Sequence, residues 1–178
     1  MERESNELPG AVTWGLLAAW AVHDTEELVM LPRWLRTHVP ELRKRFPRVP
    51  GTVWRQMEAV DGREFSTAVA AMGVVVAAAA ADGRRTGGRS AAYRTALNGF
   101  GLHGLVHLAQ AATVRGYTPG SVTTPLVVLP FTVWARARLR RAGALPPARP
   151  RDLTEGLAFA AVAAVGTHTL ARALLRRR

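Results

Sequence analysis

Along this chain, long apolar runs alternate with short arginine-rich connections. Leu8 to Leu31 is apolar apart from one charged patch. Beyond it, 17 uncharged residues separate Glu64 from Asp82, 20 separate Arg94 from Arg115, another 20 separate Arg115 from Arg136, and 16 separate Glu155 from Arg172. Each run approaches the about 20 residues a helix needs to cross about 30 Å of hydrocarbon. The pattern predicts an all-α fold: a single domain over 1–178, built as a polytopic membrane bundle with hydrophobic segments at about 10–31, 65–81, 91–114, 118–135 and 153–172. Pro32 is expected to end the first segment, and Pro125 and Pro130 to kink the fourth. Thr118, Thr123 and Thr124 stand ready to hydrogen-bond the backbone groups so freed. The Pro-Gly centre of Tyr117-Thr118-Pro119-Gly120 fits a type II turn between the third and fourth segments, because glycine takes φ > 0 at the third position of such a turn. In 32–64, Pro32, Pro40, Pro47 and Pro50 leave pieces too short to span. Basic residues interleaved with Trp34, Leu35, Phe46 and Trp54 fit short amphipathic helices on a membrane surface, as a lid or as a linker.

Composition changes this picture little. The formal net charge is +11, but the arginines gather in the connections rather than along one helix face, and no nucleic-acid motif accompanies them. Anionic lipid headgroups are the expected partner, not nucleic acid. Cysteine is absent, which excludes disulfides, thiolate ligands and cysteine nucleophiles. The first ten residues, MERESNELPG, are net acidic and precede no small-residue cleavage site, so the first segment is expected to stay in place. The chain is therefore expected to be an integral protein of the cell membrane. Its basic residues are divided too evenly to orient it.

The chemistry lies in two patches. The first, Trp20 to Val29, sets His23, Asp24, Glu26 and Glu27 inside an apolar segment. On a helix, Glu26 and Glu27 flank His23 at about 60° and 40°, while Asp24 stands about 100° round and is left out of the core set. Carboxylates at hydrocarbon depth are costly and mark functional sites. The second patch, NGFGLHGLVHLAQ, places His103 and His107 on one helix face, with Gln110 returning to it within about 20°. Asn98 points roughly 140° away on a regular helix; either Gly99 and Gly101 distort the backbone there or Asn98 bonds a neighbouring helix. His38 reads as a surface residue. His168, with no partner in its own segment, reads as structural. The loop 82–89, DGRRTGGR, lacks the spacing of a phosphate-binding loop and reads as a connector.

These residues resemble the HXXEE family, membrane-associated domains named for a His-x-x-Glu-Glu motif that stands here as His23-Asp24-Thr25-Glu26-Glu27. The stretch Asn98…His103…His107, followed by Arg115-Gly116-Tyr117-Thr118-Pro119-Gly120 and Thr123, is similar to that family's second region, which carries a further His and an Asn. The resemblance implies an enzymatic activity whose reaction it does not name, and it points to His23, Glu26, Glu27, Asn98 and His107. The inclusion of His103 rests on helix geometry.

Carboxylates and imidazoles on facing helices are how bundles build iron, manganese or zinc sites. The expected metal ligands are His23, Glu27, His103 and His107, with Glu26, Asn98 and Gln110 as catalytic or supporting groups. The mixed N/O set suits a divalent transition metal, iron or zinc, over magnesium or calcium. The function expected is a metal-dependent membrane enzyme, with non-haem iron oxidoreductase as its sharpest form, acting on a lipophilic small molecule. Two alternatives stand beside it. In one, a metal-free isomerase or cyclase uses a desolvated glutamate as general acid. In the other, a transporter or structural protein uses the cluster as a proton relay or polar lock.

Overall fold

The computed structural model describes residues 8–147 and 149–176; the polar residues 1–7 and the last two arginines of the basic tail lie outside them. The described residues form six α-helices and no strand: α1 (Gly10–Arg45), α2 (Gly51–Glu58), α3 (Gly62–Arg85), α4 (Ala91–Val114), α5 (Leu129–Arg141) and α6 (Pro150–Leu175). A single π turn, Thr124–Val128, leads into α5.

Local chemistry sets most of the boundaries. The Asp61 side chain caps α3 by accepting from Arg63 N at 3.2 Å, and Ser90 Oγ caps α4 by accepting from Tyr93 N at 3.2 Å, each satisfying a donor that the first helical turn leaves free. Asp152 closes the start of α6 by accepting from Arg149 N at 2.9 Å. At the end of α4, Arg115 turns left-handed at φ 55 and Gly116 N returns to Ala111 O at 3.1 Å, so the chain doubles back. The third expected segment, 91–114, coincides with α4.

The first and fourth segments depart from expectation. Pro32 does not end the first helix: α1 runs 36 residues, through Pro32 and Pro40. An internal proline costs about 3 kcal/mol, and tertiary packing offsets it here. Beyond Pro32, Trp34, Leu35 and Val39 bury against Trp54 of α2, and Trp34 Nε1 donates to the Tyr117 carbonyl at 2.8 Å. Only Pro47 and Pro50 break the chain, so 32–64 is a helical extension with α2 folded back on it rather than a string of short pieces. The fourth segment is not one kinked helix. It is a turn, the π turn and the 13-residue α5, the π turn widening the backbone where the Pro130 ring would clash with the carbonyl four residues before it.

Two helices, α3 and α6, are long and apolar enough to cross a membrane; the five spans expected from the uncharged runs are not supported. α4 is diluted by Asn98, His103, His107 and Gln110, and α5 is too short. The main core gathers residues such as Val12, Leu16, Tyr93, Leu97, Val128 and Leu139, with the Tyr93 hydroxyl donating to the Val12 carbonyl. α4 and α6 meet at glycines: a Cβ on Gly99 would stand 2.9 Å from the Gly156 carbonyl oxygen, so the two backbones touch where any side chain would force them apart.

Candidate metal centre

α1 and α4 run side by side, and their polar patches meet. His23 is fully buried and His107 is 5% exposed. One ligand atom each from His23, Glu27, His103 and His107 fall within 4.8 Å of one another. His107 Nε2 lies 2.9 Å from His103 Nε2 and 3.2 Å from Glu27 Oε1. Donors about 2.1 Å from a tetrahedral ion stand about 3.4 Å apart, so this group could close on one ion with small side-chain shifts. Two imidazole nitrogens at 2.9 Å cannot both present lone pairs to each other; either a proton or a cation holds them there.

A second layer surrounds this group. The expected type II turn forms: Ser121 N donates to Thr118 O at 2.9 Å and Gly120 takes φ 85. A Cβ on Gly120 would lie 2.7 Å from His107 Nδ1 and 2.9 Å from His23 Cε1, so the turn packs directly on both imidazoles. Glu26 reaches this turn rather than the cluster. Thr123 Oγ1 donates to Glu26 Oε2 at 2.6 Å, Thr123 N to the same oxygen at 2.8 Å, the Tyr117 hydroxyl to Oε1 at 2.9 Å, and Val122 N to Oε1 at 3.4 Å. Burial, together with the hydrogen bond to Glu26, pushes the Tyr117 phenol up to about 12, so it remains a donor throughout the neutral range.

Proton counting then fixes His23. Four donors occupy the acceptor sites of Glu26, and the single hydroxyl proton of Thr123 is among them. The 2.8 Å contact between His23 Nδ1 and Thr123 Oγ1 therefore has the imidazole as donor. That leaves the Nε2 lone pair bare, and Nε2 is buried without a hydrogen-bond partner among the described residues. A ligating imidazole is held in this way, its far N–H tied to a fixed acceptor and its near nitrogen free. His107 Nδ1 is likewise buried without a hydrogen-bond partner among the described residues.

The other expected site residues lie elsewhere. Asn98 accepts from the Arg136 guanidinium of α5, which is the neighbouring-helix alternative rather than the distorted-backbone one. Gln110 is exposed and makes no hydrogen bond among the described residues. His168 has a partner on α3, not on its own helix: its Nδ1 lies 3.3 Å from Glu64 Oε1, to which Arg172 Nε also donates at 2.8 Å. Thr123 serves Glu26 and His23 rather than freed backbone carbonyls; Thr124 does serve the backbone, donating to Gly120 O at 2.7 Å. The loop 82–89 is a connector, though α3 takes its first half, through Arg85.

Sequence reasoning set aside Asp24, which the structure buries at 8% exposure. It lines an apolar cavity of about 250 Å³ together with Leu16, Trp20, Glu27 and His103. The signal was present: Leu16, Trp20, Asp24 and Glu27 follow one another at helical spacings of four, four and three, so Asp24 belongs to the inward stripe.

No curated protein and no solved structure matches the chain. The family described as protein of unknown function with HXXEE motif matches residues 14–135, a stretch that contains both patches and the turn that ties them together. With His23 and Glu27 of its His23-x-x-Glu26-Glu27 motif in the cluster and Glu26 on the turn beside it, the chain belongs to the HXXEE family.

Proposed function

We propose that the chain is a metal-dependent enzyme of the cell membrane, in which His23, Glu27, His103 and His107 hold one divalent transition metal and act on a lipophilic substrate beside it. The observation that carries this reading is the convergence of one ligand atom from each of the four residues within 4.8 Å, beside a His23 Nε2 that is buried without a hydrogen-bond partner among the described residues. Three imidazole nitrogens and one carboxylate oxygen favour iron or zinc over magnesium or calcium, and non-haem iron is the first candidate. Bound there, the ion supplies Lewis-acid or redox chemistry. Glu27 contributes the anionic donor, and the Glu26–Thr123 pair keeps His23 turned toward the centre. The apolar cavity on the same wall supports a lipophilic substrate. The bilayer is supported by α3 and α6, whose outward valines Val74 and Val162 are 71% and 72% exposed; apolar surface of that kind is stable against lipid.

Metal analysis of detergent-purified protein tests the reading. Stoichiometric iron or zinc is expected in the parent chain, falling to background in Glu27→Gln and His107→Ala with helix content unchanged, because a neutral amide is a poor replacement for an anionic oxygen donor. Metal that persists unchanged in both variants would overturn the assignment. Background metal in the parent itself would point instead to a metal-free acid/base site or a polar lock.

A further inference from the structure

The cavity beside the candidate metal centre is polar at one end only. α1 and α3 run antiparallel: the Arg84 guanidinium donates to the Leu8 carbonyl, and Trp20 lies against Gly73. Phe65 packs on His168 with ring centroids 6.2 Å apart. Along the cavity wall, Leu16, Val76 and Ala96 therefore share one end, Trp20, Met72 and Phe159 the middle, and Asp24, Glu27, His103 and His168 the other end. From Leu16 to Glu27 is eleven residues of helix, about 16 Å at about 1.5 Å per residue. A volume of about 250 Å³ spread over that length is room for one alkyl chain, not two side by side.

The polar end carries a buried carboxyl group that no protein group satisfies among the described residues. Asp24 is more than nine-tenths buried, faces the cavity and makes no hydrogen bond among the described residues. Buried polar groups are paired in stable structures, so a ligand donor is the natural partner. Glu27 presents a second carboxyl to the same end. We propose that the cavity binds a single-chain amphiphile whose head is a hydrogen-bond donor, a hydroxyl or an amine. Its tail lies along Trp20 toward Leu16 and Val76, and its head meets Asp24 within reach of the His/Glu cluster. A carboxylate head is disfavoured there because it would bring a third acidic group beside Asp24 and Glu27. That this amphiphile is the substrate rests on the metalloenzyme reading; that it binds does not.

The test is saturable retention of radiolabelled decanol, decylamine and decanoate by the full chain in lipid nanodiscs, corrected for empty nanodiscs. Treatment with a chelator beforehand makes the result independent of metal. Decanol and decylamine are expected to saturate at one per chain, with decanoate at least tenfold weaker. Ala163→Phe, which fills the cavity from α6, is expected to abolish retention, and Asp24→Leu to weaken decanol and decylamine at least tenfold, with helix content by circular dichroism unchanged in both. Absence of saturable binding in the parent chain would overturn the proposal, as would decanoate binding as tightly as decanol. Unchanged binding in Asp24→Leu would overturn the assignment of the head.

Discussion

Replacing Thr123 by valine removes one oxygen atom and leaves the side-chain shape. In the parent chain that oxygen accepts from His23 Nδ1 at 2.8 Å and donates to Glu26 Oε2 at 2.6 Å. Valine leaves the His23 N–H buried without an acceptor, a loss of about 1–3 kcal/mol. The imidazole can recover some of it by taking the other tautomer, which puts a proton on Nε2, the nitrogen proposed to ligate the metal. Either outcome falls on metal binding, and about 1.4 kcal/mol is a factor of ten in affinity. Loss of a hydrogen-bonding partner behind a ligating histidine costs about 10–100-fold, and the two estimates agree. The assay has two parts. Titration with zinc or cobalt should show an affinity about 10–100-fold weaker in Thr123→Val and near the parent value in Thr123→Ser, which keeps the hydroxyl. Nitrogen-15 NMR of histidine-labelled, metal-free protein should show His23 protonated at Nδ1 in the parent chain and in Thr123→Ser. Equal metal affinity in the valine and serine variants, or His23 protonated at Nε2 in the metal-free parent, would refute the relay.

Gly120→Ala should destabilise the protein by about 1 kcal/mol or more, since its φ is 85 and the new Cβ would press on His107 Nδ1 at 2.7 Å, and left-handed backbone disfavours any residue with a Cβ; a lowered thermal midpoint together with weaker metal binding is the expected readout. Gln110→Ala should leave metal content unchanged, because its side chain is exposed; loss of metal on this substitution would place it in the site after all. Alkaline carbonate extraction should leave the chain in the membrane pellet, as expected of α3 and α6 inserted in the bilayer, and release into the supernatant would contradict the membrane reading.

Local rules in the sequence reached far where the physics is local. Glycine at the third position of a Pro-Gly turn, four-residue spacing of His103 and His107, and the largely apolar run from Ala91 to Val114 each translate directly into backbone and facing. The pairing of His23 and Glu27 with His103 and His107 was also legible, because polar groups inside apolar helices must find one another. What spacing alone could not supply was the competition between local and distant terms. Pro32 reads as a helix stop, yet the packing of Trp34 and Val39 on Trp54 outweighs the missing hydrogen bond. Four uncharged runs and the Leu8 to Leu31 segment read as five spans, yet among the described residues only α3 and α6 combine length with enough apolar character. The two motif glutamates are adjacent and chemically identical, and only the fold separates them: helix α1 turns Glu27 to the imidazoles and Glu26 to the turn after α4. Thr123 lies 100 residues from His23 in sequence, and a hydrogen bond across that distance is fixed by tertiary packing, which no periodicity along one helix encodes.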